Sequence, residues 1–365
     1  MDDGFAALRA QGVWVRELSR DGCRELLVTC PASHYQALSK AVGGAGPCCH
    51  GGLRPLRAER FEPATGLRPL DAALADVPTT TVLGGSYTAG EWGGMHAQYA
   101  LEAEPHPLVA EGRTVGMALT GPYATECWLS GLQSSDRSLP PDRQARETFE
   151  RMEQALQLVD MDFGHVVRTW LFLDDILAWY ADFNHVRTAF FRERGVFDRM
   201  VPASTGIGGS NPDGTALVAG VYALKSSDRR VRVEPVPSPL QCPALQYDSS
   251  FSRAAEVILP DIRRLLVSGT ASISLDGETQ HVGDVAAQVA RTCEVVEAIL
   301  VSREMTWEDV TRATAYVRDI QDAPAFGRYW ATTGRPPLPV VIAENVICRD
   351  DLLFELEVDA VRNEG

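Results

Sequence analysis

The sequence predicts an α+β protein that contains two fused copies of one small domain, each a mixed β-sheet packed by helices on one face. The order strand, helix, strand, helix, strand occurs twice along the chain. The repeat period of about 140 residues is too long for a solenoid and is typical of a duplicated domain.

The first copy starts at residues 129–131, where Leu-Ser-Gly precedes an amphipathic helix. The apolar run at 166–176 predicts its next strand, a second helix is expected over 176–194, and the run LVAGVYAL at 217–224 predicts its last strand. The apolar face of the first helix recurs at helical spacing, at Phe149, Met152, Leu156 and Val159.

The second copy repeats these elements, starting with Val-Ser-Gly at 267–269. The run VTRATAYVRDI at 310–320 predicts a strand, a helix is expected over 322–332, and LLFELEVDAV at 352–361 predicts the last strand. The first helix of this copy has an apolar face formed by Val285, Val289, Cys293, Val296 and Leu300.

The remaining segments set the expected domain boundaries. Short β-rich runs alternate with glycine clusters before the first copy, which predicts a strand-rich N-terminal extension. A stretch rich in Ser, Arg and Pro follows the first copy and is typical of a linker. We therefore expect an N-terminal domain with its extension over 1–228, a linker over 229–246 and a C-terminal domain over 247–365.

Composition excludes several classes of function. A net charge of -15 over 365 residues disfavours nucleic acid or an anionic membrane as the main partner. The N-terminus lacks the basic and apolar regions of a signal peptide, and the 8 cysteines lack the spacing of a disulfide framework. We expect a cytoplasmic protein with reduced thiols, which binds a small molecule.

The two copies differ at the last strand. Where the first copy has Val218 and Gly220, the second has Glu355 and Glu357, which share one face of the strand because side chains alternate. If that face is solvated, the two are ordinary surface charges. If it is enclosed, burial raises the pKa of a carboxyl, which can then donate a proton near neutral pH. Their absence from the first copy favours the second alternative.

Cys348 lies seven residues before Glu355. It faces the same cavity if it ends a neighbouring strand, and it is otherwise a small buried hydrophobe. No histidine is close in the sequence, so the pattern does not indicate a nucleophilic Cys/His pair.

Several arginines are candidate anion-binding residues. Arg168 alternates with Trp170 on a predicted strand, Arg187 lies one helical turn from Phe183, and Arg328 occupies the equivalent helix of the second copy. Arginine in semi-apolar surroundings can bind a carboxylate through two parallel hydrogen bonds. The alternative is a side chain that lies along the helix surface with its charge in water.

Other motifs argue against cofactor chemistry. The glycine runs at 84–85, 93–94 and 206–209 fit neither the P-loop nor the dinucleotide-binding pattern. The 7 histidines include no HExxH motif, and no CxxC motif occurs. We expect no cofactor and no metal site.

Four segments resemble the chorismatases, which are bacterial enzymes that remove the enolpyruvyl group of chorismate. These enzymes look like a fused pair of domains of the RidA/YjgF type, with the chorismate mutase-like fold. The resemblance covers about 125–365, and the segments are VVRTWLFLDDILAWYADFNHVRTAFF (166–191), VPASTGIGG (201–209), LLVSGTASI (265–273) and ENVICRDDLLFELEVDAV (344–361).

The resemblance implies a site and a reaction. A glutamate on the last strand of that family protonates the enolpyruvyl methylene group so that pyruvate departs, and Glu355 is the position that matches it. Cys348 would be the second catalytic residue. The positions implied to bind substrate are Arg168, Trp170, Arg187, Thr205, Gly269, Arg328 and Glu357.

The resemblance also bears on the product. One type of chorismatase adds water and yields a dihydroxycyclohexadienoate, whereas another yields 3-hydroxybenzoate and has a cysteine seven residues before the glutamate. Cys348 favours 3-hydroxybenzoate. A hydrolysing chorismatase and a non-catalytic binder of small carboxylates remain alternatives. An imine deaminase is disfavoured, since the residues after Pro339 are apolar where RidA enzymes have arginine. The chain is expected to be a monomer or a pseudo-trimeric assembly.

Overall fold

Three β-sheets organise the chain in a computed structural model. The first sheet has the order β1-β2-β5-β3-β4, and two helices accompany it. The structure describes residues 3–42, 52–65, 67–68, 74, 77–85, 92–247 and 249–364. The elements of the first sheet are α1 (Asp3–Ala10), β1 (Trp14–Arg20), β2 (Cys23–Pro31), α2 (Tyr35–Val42), β3 (Arg54–Pro63), β4 (Thr79–Gly84) and β5 (Gly94–Leu101).

The second sheet corresponds to the first predicted copy and has the order β10-β9-β11-β8-β7-β6. Its two helices bury aromatic side chains against each other and the sheet, including Phe149 and Phe183 with a ring-centroid distance of 6.1 Å. The elements are β6 (His106–Ala110), β7 (Arg113–Thr120), β8 (Ala124–Gln133), α3 (Pro141–Gln157), β9 (Val166–Leu173), α4 (Ile176–Glu193), β10 (Ala203–Gly208) and β11 (Leu217–Ser226).

The third sheet corresponds to the second predicted copy and has the order β12-β13-β14-β17-β15-β16. Its first strand lies inside the segment 229–246 and pairs with β13, so the linker is shorter than predicted. The elements are β12 (Arg232–Val236), β13 (Ala254–Ile258), β14 (Ile262–Ala271), α5 (Val285–Ser302), β15 (Val310–Val317), α6 (Ala323–Thr332), β16 (Val340–Glu344) and β17 (Phe354–Asn363).

All three sheets share one connectivity. In each sheet the last strand of the repeat lies between two earlier strands and pairs antiparallel with both. Each sheet also has one parallel pair at its edge, formed by β3 and β4, β9 and β10, or β15 and β16. The predicted class, mixed sheets packed by helices, is therefore confirmed, and the strand-rich extension contains a third sheet of the same kind. The Gly, Cys and Pro-rich residues 43–51 lie outside the described residues.

The three sheets close into a ring. The parallel edge strand of each sheet contacts the next sheet, with β4 against β8, β10 against β14 and β16 against β2. Backbone contacts at the strand ends join Leu83 to Ser210 and Gly208 to Val346. The chain thus has an internal pseudo-threefold arrangement with three related clefts between sheets.

Buried ion pairs occupy the axis of this ring. Glu25, Glu126 and Arg264 take equivalent positions on β2, β8 and β14 and meet each other across the axis. The guanidinium group of Arg20 contacts both glutamates and lies 2.7 Å from Asp261. Since unpaired charges are costly in a protein interior, the three sheets depend on each other for these partners.

Replacing Glu25 with glutamine is expected to lower the free energy of unfolding by roughly 3–5 kcal/mol, because the change leaves two buried guanidinium groups short of a counter-charge. Urea titration followed by tryptophan fluorescence measures this change. Glu104→Gln is the control, since Glu104 is an exposed partner of Arg54 and its loss should leave the urea midpoint unchanged. Equal effects of the two substitutions would contradict the structural role of the axial pairs.

The pairing of Glu25 with Arg264 and Arg20 also predicts that the stability of the protein depends on pH. Burial alone would raise the pKa of Glu25, but Arg264 and Arg20 outweigh burial and hold that pKa at about 2. The contribution of Glu25 to stability is therefore complete above its ordinary value of 4.5 and is lost as the pH falls through about 2. In Glu25→Gln this loss between the two pH values should disappear.

Candidate active site

A cavity of about 390 Å³ lies in the cleft between the second and third sheets, where β10 contacts β14. Helix α4 and β10 form one wall, while β14, β17 and the segments before β13 and β17 form the other. Its polar side chains include Tyr180, Arg187, Arg253, Cys348, Arg349 and Glu355.

Glu355 is the buried acid of this cavity. It lies on β17 opposite Ala271 and Tyr316 on the flanking strands, and its side chain is only 4% exposed. Burial and the neighbouring charge of Glu357 raise the pKa of Glu355 to about 8, although Arg168 and Arg253 oppose the rise. At neutral pH the side chain is a carboxylic acid that can donate a proton.

Space for this carboxyl group is created by Gly269 on β14. A Cβ atom at this position would lie 2.0 Å from Oε1 of Glu355. Glycine is therefore required beside the acid. The equivalent positions to Glu355 on β5 and β11 are Gly94 and Val218, so only one of the three clefts has a carboxyl at this position.

Glu357 lies two residues further along β17 and has a different environment. It is fully buried and accepts hydrogen bonds from Arg168 at 2.9 Å, Arg312 at 2.6 Å and Thr314 at 3.1 Å, and another from Thr205. These arginines outweigh burial and hold the pKa of Glu357 below its ordinary value. The sequence predicts that Glu357 binds substrate, whereas the structure encloses its side chain in the axial ion pairs and does not place it in the cavity lining.

Three other residues predicted to bind substrate, Arg168, Trp170 and Thr205, lie behind the cavity wall. Arg168 is fully buried and donates a hydrogen bond to Thr205 at 2.6 Å. Thr205 in turn accepts one from the backbone N–H of Gly269 at 3.0 Å. Arg168 pairs with Glu357, and the guanidinium groups of Arg57 and Arg312 lie over Trp170. Both β9 side chains therefore point toward the ring axis. They support the wall and do not line the cavity.

Trp170 is the centre of this axial layer. Arg57, Arg168 and Arg312 occupy equivalent positions on β3, β9 and β15. Their Cζ atoms lie 4.1, 5.1 and 5.4 Å from the ring centroid of Trp170. The indole therefore spaces three cations apart, and cation–π attraction offsets part of their repulsion.

Arg187 and Cys348 do line the cavity. Arg187 is seven residues after Tyr180 on α4, which places both on one face of the helix, and it is 2% exposed. Its Nη2 atom donates to Asn184 at 2.6 Å, while its Nε atom has no partner within the described residues. Burial, aided by the nearby Glu355, raises the pKa of Cys348 to about 12, so the thiol stays protonated at neutral pH.

Arg328, which the sequence predicts to bind substrate, does not lie at the cavity. Helix α6 turns Ala325 and Phe326 toward the core and leaves Arg328 exposed. The residue is absent from the cavity lining. The equivalence of helices between copies was therefore a poor guide to which side chains reach the cleft.

Two other arginines, Arg253 and Arg349, line the cavity. Arg253, directly before β13, is 4% exposed and donates two hydrogen bonds to the carbonyl of Cys242, at 2.9 and 2.8 Å. Arg349 follows Cys348 and lies 5.4 Å from the ring centroid of Tyr247. One signal for Arg253 is present in the sequence, namely a single arginine between a polar loop and an apolar strand.

Neither a metal-ligand cluster nor a helix able to cross a membrane occurs among the described residues. Within those residues, no three His, Cys, Asp or Glu side chains come together as a metal-ligand set. No described helix is long and apolar enough to cross a membrane. The groups available at the cavity include a carboxylic acid, a thiol, phenols, guanidinium groups and the imidazole of His185.

Comparison with known proteins points to one family. Residues 249–362 match the family model described as Endoribonuclease L-PSP. A 3-hydroxybenzoate synthase of Streptomyces hygroscopicus is 28% identical over 231 residues, and a chorismatase of Streptomyces rapamycinicus is 30% identical over 222 residues. The chain is therefore similar to chorismatases over part of its length. These matches cover 55% and 54% of this chain and 64% of each relative, so less than two thirds of each relative's length is matched.

The fold is similar to that of a solved chorismatase. A chorismatase crystal structure superposes with a TM-score of 0.66 at 20% sequence identity, over 85% of this chain and 94% of that one. The second and third sheets alone are too short to supply this coverage, so the structural match reaches the first sheet.

Proposed function

We propose that this chain is a chorismatase that converts chorismate into 3-hydroxybenzoate and pyruvate. The observation that carries the proposal is Glu355, a buried carboxyl that keeps its proton at neutral pH inside a cavity with arginine side chains. The names of the two curated relatives support the substrate.

The cavity suits a small substrate with two carboxylates. Its volume of about 390 Å³ falls within the usual range for small-molecule sites. Arg187, Arg253 and Arg349 contribute guanidinium groups to the lining, and such groups bind carboxylates through charge-assisted hydrogen bonds. Binding both carboxylates of chorismate would hold its enolpyruvyl double bond at a fixed distance from Glu355.

The first chemical step is proton transfer. The proton of Glu355 moves to the methylene carbon of the enolpyruvyl group, and the electron pair of the C=C bond forms the new C–H bond. Positive charge develops at the neighbouring carbon and is shared with the ether oxygen. The C–O bond to the ring then breaks, its electrons stay on oxygen, and pyruvate leaves as a ketone. The Glu355 carboxylate that remains is stabilised by Arg168 and Arg253.

The second step concerns the ring. The hydroxyl of the substrate attacks the ring carbon that loses pyruvate and gives up its proton. In the resulting three-membered ring, the C–O bond to the carbon that first carried the hydroxyl breaks, and its electrons stay on the oxygen. The other carbon then loses its proton, which makes the ring aromatic. Of the two protons released, one ends on the phenol oxygen and the other returns to Glu355. No water is consumed overall. The protonated thiol of Cys348 beside Glu355 supports this route, because it occupies space from which water would otherwise attack.

The test is incubation of the purified chain with chorismate, without added metal or nucleotide. Chromatography with mass detection follows pyruvate and the ring product together. Equal amounts of pyruvate and 3-hydroxybenzoate are expected. Pyruvate with a dihydroxycyclohexadienoate would overturn the product assignment in favour of the hydrolysing type, and binding of chorismate without turnover would leave a small-carboxylate binder.

Glu355→Gln is expected to reduce kcat for pyruvate release by about 10²–10⁴-fold, since it removes the proton donor and keeps the shape of the side chain. A coupled lactate dehydrogenase assay measures pyruvate. Glu344→Gln is a matched control, because burial also raises the pKa of Glu344 but its side chain lies outside this cavity. Comparable activity in both variants would remove Glu355 from the mechanism.

The pH profile gives a second test. With a pKa of about 8, Glu355 is protonated below this value and ionised above it. The value of kcat/KM should therefore fall as the pH rises through about 8, because the acid form is the active one. In D2O the methyl group of pyruvate should contain one deuterium, which rapid trapping as lactate preserves for mass spectrometry. A rate that stays constant through this pH region would be inconsistent with Glu355 as the acid.

Cys348→Ala is expected to divert product from 3-hydroxybenzoate to the dihydroxycyclohexadienoate, since the smaller side chain admits water beside Glu355. The measurement is the ratio of the two ring products at equal pyruvate release. Cys293→Ala, which alters a buried cysteine in the core under α5, serves as the control and should leave the ratio unchanged. If Cys348→Ala also leaves it unchanged, Cys348 does not determine the product.

A further inference from the structure

Glu355 and Glu357 are neighbouring carboxyl groups on one face of β17, and together they hold one proton and one negative charge. We propose that Glu357 is a positioning residue, which takes the negative charge of the pair and thereby keeps the proton on Glu355. The catalytic meaning of this inference rests on the proposed function, whereas the protonation states that it assigns do not.

Hydrogen bonding decides which carboxyl is ionised. Glu357 accepts from four donors, and two of them are the guanidinium groups of Arg168 and Arg312. Among the described residues, none donates a hydrogen bond to the side-chain carboxyl of Glu355. Donors of this kind stabilise the charged form of a carboxyl and not its neutral form. The charge therefore belongs on Glu357.

Because Glu355 and Glu357 lie close together, ionisation of one disfavours ionisation of the other. The two residues are separated by two positions on one strand, so both side chains leave the same face about 7 Å apart. In a buried site, a second negative charge at this distance is opposed by the first and by loss of water. Ionised Glu357 thus disfavours ionisation of Glu355, which is the arrangement that a proton donor requires.

The charge on Glu357 depends on all three sheets. Arg168 comes from the second sheet, and Arg312 comes from the third. Arg312 also contacts Glu59 of the first sheet, so the first sheet orients the guanidinium group that holds Glu357. This contact gives the N-terminal part of the chain a role in the site, although none of its described residues lines the cavity.

No other described group near Glu355 supplies a competing negative charge at neutral pH. Tyr180, Tyr316 and Cys348 have pKa values above their ordinary ranges, mainly because they are buried, so they stay neutral. The titratable and charged groups that face Glu355 are Glu357 from β17, Arg168 from β9, Arg253 from the segment before β13, Cys348 from the segment before β17, Tyr180 from α4 and Tyr316 from β15.

Glu357→Gln tests the inference, because it removes the charge and keeps a side chain that can accept hydrogen bonds. The titration of Glu355 should move to lower pH by roughly one unit, since the negative charge of Glu357 no longer opposes its ionisation while Arg168 and Arg253 still favour it. Infrared spectroscopy detects the C=O stretch of the protonated acid, which is assigned by subtracting the spectrum of Glu355→Gln. The alkaline limb of kcat/KM should move with it, so that the rate above pH 8 falls roughly tenfold.

Glu126→Gln is the matched control. Glu126 is also a buried glutamate that pairs with arginine on the ring axis, but it contacts Arg20 and Arg264 in the other layer. Its loss should lower the melting temperature and leave the titration of Glu355 in place. A titration unchanged in Glu357→Gln, or moved equally by Glu126→Gln, would overturn the inference.

A second measurement needs only a substitution at Glu355. The difference between wild-type and Glu355→Gln infrared spectra at pH 6.5 should contain the band of a protonated acid, and a carboxylate band there would overturn the inference even if Glu357→Gln does not fold. Neither infrared experiment uses chorismate. If the titration moves but chorismate is not converted, the proposed function fails and the assignment of charge to Glu357 holds. If chorismate is converted normally but the titration of Glu355 does not move, the proposed function holds and the assignment of charge to Glu357 fails.

Discussion

The contact between Glu357 and the guanidinium groups of Arg168 and Arg312 is the interaction on which the fold and the site both depend. Each arginine comes from a different sheet, and Arg312 also contacts Glu59 of the remaining sheet. Charges removed from water destabilise a protein unless each is paired. The ring must therefore close for the axial charges to be paired. If one sheet moved away, its neighbours would be left with unpaired buried charges.

This axial layer also forms the support behind the cavity. Thr205 links it to the wall, because it contacts Glu357 on one side and accepts a hydrogen bond from the backbone of Gly269 on the other. Gly269 in turn leaves the space that Glu355 occupies. The acid is thus placed by groups that do not touch a ligand, and rigid support of this kind favours accurate placement of a reacting group.

Apolar periodicity predicted the second and third sheets, and the last-strand asymmetry directed attention to Glu355. The first sheet was missed because β3 has charged side chains such as Arg57 and Glu59, which look like surface residues until partners from other sheets bury them. The same limit applies to the site. Strand alternation predicts that Glu355 and Glu357 share a face, but only the ring shows that one reaches the cavity and the other the axis.

The position of Glu355 is occupied by Val218 in one related strand and Gly94 in the other. In a ring of three identical subunits, any substitution appears in every cleft, so an acid that destabilises the fold when buried would do so three times. In a single chain the three sheets have different sequences, so a substitution in one cleft does not change the other two. The clefts can change independently, so that one can accumulate destabilising polar groups while the others retain packing that favours stability.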